Sequence, residues 1–314
     1  MRRLTTLAGF CGVLVALALP AGGGATVPGP NGLIVFRADE ANGGQVYTIR
    51  TDGTDQRQLT HLAGFTYLPH WSPESSRIVF EYDPPTACAN VATMNRNGGG
   101  ARMLPLANGD VCEGSPTFSA DGHRIYYEGF DGVSRDAIFS MALNGNDRHF
   151  VSDCEGTGVT DPEVSPDGTM ISFTCYSAEG EGALFDANID GSGLHQLTAY
   201  SDEVGNKSDW SPDSQRIMFI TTADDQVNTW TIARDGSDRT AVTDYPPGGT
   251  RALGNSYSPD GQWVLLRIEE GDLSALFKIH PDGSGLTQIT PFSGFKPRNM
   301  AWGSALAHKQ GSGH

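Results

Sequence analysis

The chain has 314 residues and carries 37 acidic against 21 basic side chains, a formal net charge of −16. Such a surface repels phosphate backbones and anionic membranes, so nucleic acid is excluded as a partner, and solubility or a cationic partner remains. Aromatic and β-branched residues recur in regular strand patterns, which excludes a disordered acidic chain.

Residues 1–25 read as a cleavable signal peptide. Arg2 and Arg3 precede an apolar run from Leu7 to Leu19, followed by Pro20 and a small-residue stretch ending at Ala25. The run is shorter than the roughly 20 residues needed to span a bilayer. Cys11 lies inside it and the run continues past it, which argues against a lipoprotein cysteine. Without Arg2 and Arg3 the 21 basic side chains become 19, and the balance against 37 acids is −18. The expected product is exported, secreted or periplasmic, with no membrane span.

From residue 26 to 303 the chain repeats one phrase. Its copies begin at Trp71-Ser72-Pro73, Phe118-Ser119-Ala120, Val164-Ser165-Pro166, Trp210-Ser211-Pro212 and Tyr257-Ser258-Pro259, with serines 47, 46, 46 and 47 residues apart. A fixed period of this size signals a propeller or a solenoid. Proline ends one strand and opens a type I turn, and Asp-Gly completes that turn. Apolar pairs spaced by two follow at Ile34/Phe36, Ile78/Phe80, Ile125/Tyr127, Ile171/Phe173, Ile217/Phe219 and Val264/Leu266. A second turn recurs at Asp52-Gly53, Asn97-Gly98, Asn144-Gly145, Asp190-Gly191, Asp235-Gly236 and Asp282-Gly283, the strongest short-range hairpin signal. Each period therefore holds four antiparallel strands.

The expected fold is all-β: a six-bladed β-propeller of four-stranded antiparallel blades. The chain starts at the second strand of a blade, Leu33 to Arg37, and ends with a first strand, Lys296 to Trp302. Pairing the C-terminal strand with the N-terminal strands closes the ring and leaves no open edge. Residues 304–314 are polar and Gly-rich and read as a flexible tail. Trp71, Phe118, Trp210, Tyr257 and Trp302 share one repeat position, so they read as packing between blades rather than as a stacking platform.

Four cysteines remain after signal removal, and an even count in an exported chain favours disulfides. In a four-stranded meander Cys88, Cys112, Cys154 and Cys175 all fall on the face opposite the tight turns. The economical pairing is Cys88 with Cys112 and Cys154 with Cys175. A four-cysteine zinc site would want C-x-x-C spacing, which is missing. The same face carries the longer loops, and these are acidic: Asp39-Glu40, Asp202-Glu203, Asp224-Asp225 and Glu269-Glu270. Loops on a rigid scaffold are where binding residues sit, so this face is the expected functional surface.

The innermost strands line the central channel. Two residues before the repeat serine stand His70, Thr117, Glu163, Asp209 and Ser256, with Asp161, Lys207, Arg251, Lys296 and Arg298 nearby. The ligand-binding candidates are His70, Asp161, Glu163, Lys207, Asp209, Arg251 and Arg298. They can bind a metal or a small polar ligand, or do acid–base work, or they can pair with one another. The sequence contains no G-x-S-x-G elbow, H-E-x-x-H pair or Walker A loop. Asp186-Ala-Asn188-Ile-Asp190-Gly191 imitates the start of an EF-hand loop, but Leu197 occupies the position of its bidentate glutamate. No cofactor is expected; bound calcium is the one exception considered.

The Trp-Ser-Pro-Asp phrases and paired turns resemble the WD40-like Pro-Asp repeat of TolB-type β-propellers over about residues 31–303. The resemblance implies a six-bladed periplasmic propeller; the family's namesake binds a peptidoglycan-associated lipoprotein and carries an additional N-terminal α/β domain. Here the repeats begin within a few residues of the expected cleavage site, so the propeller is expected without that domain. Related propellers are joined to peptidase domains, but no family catalytic residue has a counterpart here. The reading is a monomeric, non-enzymatic scaffold for a protein or peptide, basic in character. The alternative is a glycan-active or metal-assisted lyase or hydrolase working through His70, Glu163 and Asp209.

Overall fold

The computed structural model describes residues 28–306 except 41–42, 107–111, 131–135, 155–157 and 206; the expected signal peptide and the tail beyond 306 lie outside them. Among the described residues, 24 strands, β1 to β24 in chain order, form six sheets of four. Five sheets are consecutive meanders whose first strands are β4 (Phe65–Trp71), β8 (Glu113–Phe118), β12 (Val159–Val164), β16 (Asp209–Trp210) and β20 (Arg251–Tyr257). The sixth is composite: β24 (Pro297–Ser304) pairs with β1 (Asn31–Glu40), followed by β2 (Gly43–Ile49) and β3 (Arg57–Gln58). We number this blade 1 and the others 2 to 6 along the chain. Ile34 lies opposite Trp302 and Arg37 opposite Arg298, so the two ends of the chain share one sheet. The strand continues through Ser304, and the Ala305 N–H donates to the Pro30 carbonyl.

The repeat phrase works as a hydrogen-bonded box. The Ser119 hydroxyl donates to Asp121 Oδ1 at 2.6 Å and accepts the Arg124 N–H at 2.8 Å. Ser165, Ser211 and Ser258 do the same with Asp167, Asp213 and Asp260. The box fixes the direction in which the second strand leaves the turn. At the second turn, the Asp-Gly and Asn-Gly glycines all have φ between 81° and 85°. They also lie against the neighbouring blade, two of them most closely: a Cβ on Gly191 would stand 1.7 Å from the Val151 carbonyl oxygen, and one on Gly53 would stand 2.1 Å from that of Ile289. The residues resembling an EF-hand start form this same hairpin, with Asp190 Oδ1 accepting the Ser192 N–H and hydroxyl.

The core is distributed over six apolar clusters, one at each blade junction. Trp71, Phe118, Trp210, Tyr257 and Trp302 are all buried in them. Fully burying each large side chain is worth roughly 1.5–3 kcal/mol. Both faces of every blade are thus covered, and a charged residue within a strand must find its own partner.

Two disulfides staple consecutive blades on the loop face. Cys88, between β5 (Arg77–Asp83) and β6 (Asn90–Asn95), bonds Cys112 just ahead of β8. Cys154, following β11 (His149–Ser152), bonds Cys175 in β13 (Met170–Tyr176). Blades 2, 3 and 4 are therefore covalently linked in series.

Candidate functional site: the axial channel and its mouth

First strands carry a recurring irregularity four residues before the position of the repeat serine, which is Gly303 in blade 1. Leu68, Ser115, Asp161, Lys207 and Asn299 all have positive φ there. The strand register slips at this level in five blades. A bulge inserts an unpaired residue and re-aims side chains, and a non-glycine residue in the left-handed region costs about 1–3 kcal/mol. In blades 4 and 5 the positive-φ residue is a charged one. This is how Asp161 and Lys207 become buried beside the axis.

Lys207, 2% exposed, donates to Glu163 Oε1 at 2.5 Å and lies 2.6 Å from His70 Nε2. His70 Nε2 is in turn 3.0 Å from Glu163 Oε1. These three side chains come from blades 5, 4 and 2, so the contacts cross the channel. The Thr117 hydroxyl of blade 3 donates to the other Glu163 oxygen at 3.2 Å. Four blades thus meet in one buried polar plug.

Burial opposes ionisation of Glu163, but the His70 imidazole and Lys207 ammonium outweigh it and hold the carboxyl below its ordinary range. Burial likewise opposes the charge on Lys207; Glu163, Asp161 and Asp209 reverse that and raise its pKa. Asp161 is pushed upward because burial exceeds the help from Lys207. Its Oδ2 accepts the Ser208 N–H at 2.7 Å, and Asp209 Oδ2 accepts the Tyr257 N–H at 2.7 Å. Each of these carboxylates ties its blade to the next.

The remaining candidates lie at the loop-side mouth. Arg298 approaches Asp39 at 3.5 Å, and Arg251 donates to Glu269 at 3.0 Å. Two arginines not singled out from the sequence join them. Arg37 pairs with Asp39 and lies 4.4 Å above the Tyr67 ring; Arg267 pairs with Glu269 at 3.2 Å. A cavity of about 270 Å³ opens among Arg37, Arg267, Arg298, Asn255 and Asn299, walled by Leu253 and Ile220.

Arg37 and Arg267 occupy one repeat position, directly after the apolar pair of the second strand. The same position holds Glu81, Glu128, Thr174 and Ile220 in the other blades. Glu81 and Glu128 are pushed up chiefly by burial, Glu81 to about 7 with further help from the Glu128 and Asp83 charges. Glu81 Oε2 accepts the Ser115 N–H, while Glu128 Oε2 accepts the Ser115 and Thr160 hydroxyls. The mouth is therefore polarised, acidic across blades 2 and 3 and basic across blades 6 and 1. A charge inside a strand covered on both faces was the sequence signal for these positions.

With this geometry in place the chain can be compared with known proteins. The TolB beta propeller domain model, PD40, matches residues 106–306. The chain belongs to the TolB β-propeller family. The structure of TolB from Acinetobacter baumannii superposes with a TM-score of 0.72 over 87% of this chain and 67% of that one, at 17% identity, which is a likeness of fold. An uncharacterised protein of Agrobacterium fabrum is 22% identical over 63% of this chain and 62% of its own length. The uncharacterised peptidase YuxL of Bacillus subtilis is 26% identical over 36% of this chain but only 18% of its own. The chain thus spans less than two thirds of the length of these curated relatives.

Among the described residues, no helix is long and apolar enough to cross a membrane, and no group of three or more His, Cys, Asp or Glu side chains gathers as a metal site.

Proposed function

We propose that the protein is an exported, non-enzymatic binding scaffold that engages a protein or peptide partner of the cell envelope or exterior through its loop face. The observation that carries this reading is the plug: Lys207 and His70 are both within hydrogen-bond distance of Glu163 across the axis. An acid–base site needs its groups to converge on space that a substrate can enter. Here His70 and Glu163 are occupied by each other and by Lys207, and Asp209 holds a backbone N–H. These contacts favour the scaffold reading over the lyase or hydrolase alternative. A rigid ring that presents variable loops is suited to recognition. Disulfides form and persist in oxidising compartments, so the two staples support export, as does the apolar run from Leu7 to Leu19. Asp224, Asp225 and Glu270 are exposed loop-face acids suited to a basic partner.

The test is capture from envelope and culture-supernatant fractions, with the propeller as bait. A specific protein should be retained, and it should be lost when Asp224 and Asp225 are both changed to Lys. Changing Asp52 and Asp282, on the tight-turn face, should leave capture intact. Capture indifferent to the loop-face charges, or hydrolytic or lyase turnover by the purified protein that Glu163→Gln abolishes, would overturn the reading.

A further inference from the structure

We propose that the cavity at the channel mouth is a binding site for a small dianion, a dicarboxylate or a phosphomonoester on a short carbon skeleton, held by Arg37, Arg267 and Arg298. The proposal does not depend on the scaffold reading, since the site is defined without any partner protein.

Charge supplies the first argument. Four guanidinium groups meet at the mouth, from Arg37, Arg251, Arg267 and Arg298, and they share two carboxylates, Asp39 and Glu269. The guanidinium groups outnumber those two carboxylates by two in a chain whose net charge is −16, with the Glu81 carboxyl as a further acid acting on Arg37. Arginine forks match carboxylate and phosphate oxygens in geometry as well as charge.

Burial supplies the second. The Arg37 and Arg267 side chains are 10% and 7% exposed. Nε of Arg37 and of Arg267 is buried without a hydrogen-bond partner among the described residues, whereas that of Arg298 lies 3.5 Å from Asp39 Oδ2. Buried donors are normally satisfied, and each one left unmade costs about 1–3 kcal/mol. Burial lowers the Arg267 pKa to about 10; Glu269 opposes that, and Arg298, Arg251 and Arg37 add repulsion. An anion in the cavity would offset that repulsion.

The walls define the class of ligand. At about 270 Å³ the cavity lies just below the usual range for drug-sized ligands, so the occupant is small. Leu253 and Ile220 offer carbon contacts, which favours an organic skeleton over a bare ion. Asn255 is held in place, its amide donating to the Leu253 carbonyl and its oxygen accepting the Met300 N–H. Arg298 is 37% exposed at the side chain and so gives the ligand a way in.

The experiment is calorimetric titration of the purified protein with succinate and with glycerol 3-phosphate, at fixed ionic strength. Saturable one-to-one binding of either probe is expected: succinate alone assigns a dicarboxylate, glycerol 3-phosphate alone a phosphomonoester, and both together a general dianion site. Arg298→Gln, at a partly exposed position that tolerates change, should weaken binding by about tenfold or more, because a charge-assisted bond is lost. Arg267→Lys keeps the charge but not the fork and should also weaken it. Arg50→Gln, on an exposed arginine away from the cavity, should have no effect. No saturable heat with either probe at millimolar concentration, or binding equally strong in Arg298→Gln and Arg267→Lys, would overturn the proposal.

Discussion

Substituting Lys207 by Met tests whether the axial plug is a structural device. Methionine approximates the length of the lysine side chain but carries no charge, so Glu163 keeps only His70 and the Thr117 hydroxyl as partners. Removing one member of a buried ion pair leaves an uncompensated charge and typically costs about 3–5 kcal/mol. For a domain of this size each kcal/mol lowers Tm by roughly 2–4 °C, so the expected fall is on the order of 10 °C. Glu163→Gln should cost a similar amount, because a fully buried ammonium then faces an amide. The double variant is the informative measurement. Replacing both members of a buried pair by neutral groups is often close to neutral, so the double should be less damaged than the sum of the singles by about 2 kcal/mol or more. Urea unfolding at pH 7 provides all four free energies. A Lys207→Met penalty below about 1 kcal/mol, or strict additivity in the double, would refute the assignment of the plug as a coupled unit.

Glu81 makes a pH prediction. Its folded pKa is raised from 4.5 to about 7, so its contribution is fully present below pH 4.5 and is withdrawn as pH rises through 7. The shift corresponds to at most about 3 kcal/mol, and Glu81→Gln should flatten the decline in Tm between pH 5 and pH 8; an unchanged slope would show that Glu81 does not set it. Gly191→Ala places a Cβ 1.7 Å from the Val151 carbonyl at φ 85° and should destabilise by about 2 kcal/mol or more, measurable as a lower urea midpoint. Paired Cys88→Ser and Cys112→Ser changes open a staple with a sequence separation of 24 residues and should cost about 3 kcal/mol. An identical unfolding midpoint with and without reductant in the wild-type protein would contradict that.

The period, the boxed turn and the joined ends were legible in the chain because each rests on local chemistry: a proline that ends a strand, a serine and aspartate that bond across a turn, and a glycine at positive φ. The cysteine pairing followed once strand order placed all four on one face. The repeat also put His70, Glu163 and Asp209 at equivalent positions, so their approach to the axis was readable. Their partnership was not. Lys207 and His70 are 137 residues apart, and only closure of the ring brings blade 5 to face blade 2. The positive φ at Asp161 and Lys207 is a departure from strand geometry, which an alternating pattern does not reveal. Arg37 and Arg267 sit in strands whose apolar neighbours masked them, and their nearness depends on blade 1 being assembled from both ends of the chain. Sequence alone determined the architecture, since the same local rules act in every repeat. The tertiary structure decided which charges neutralise one another and which are left over, because that depends on distances across the ring.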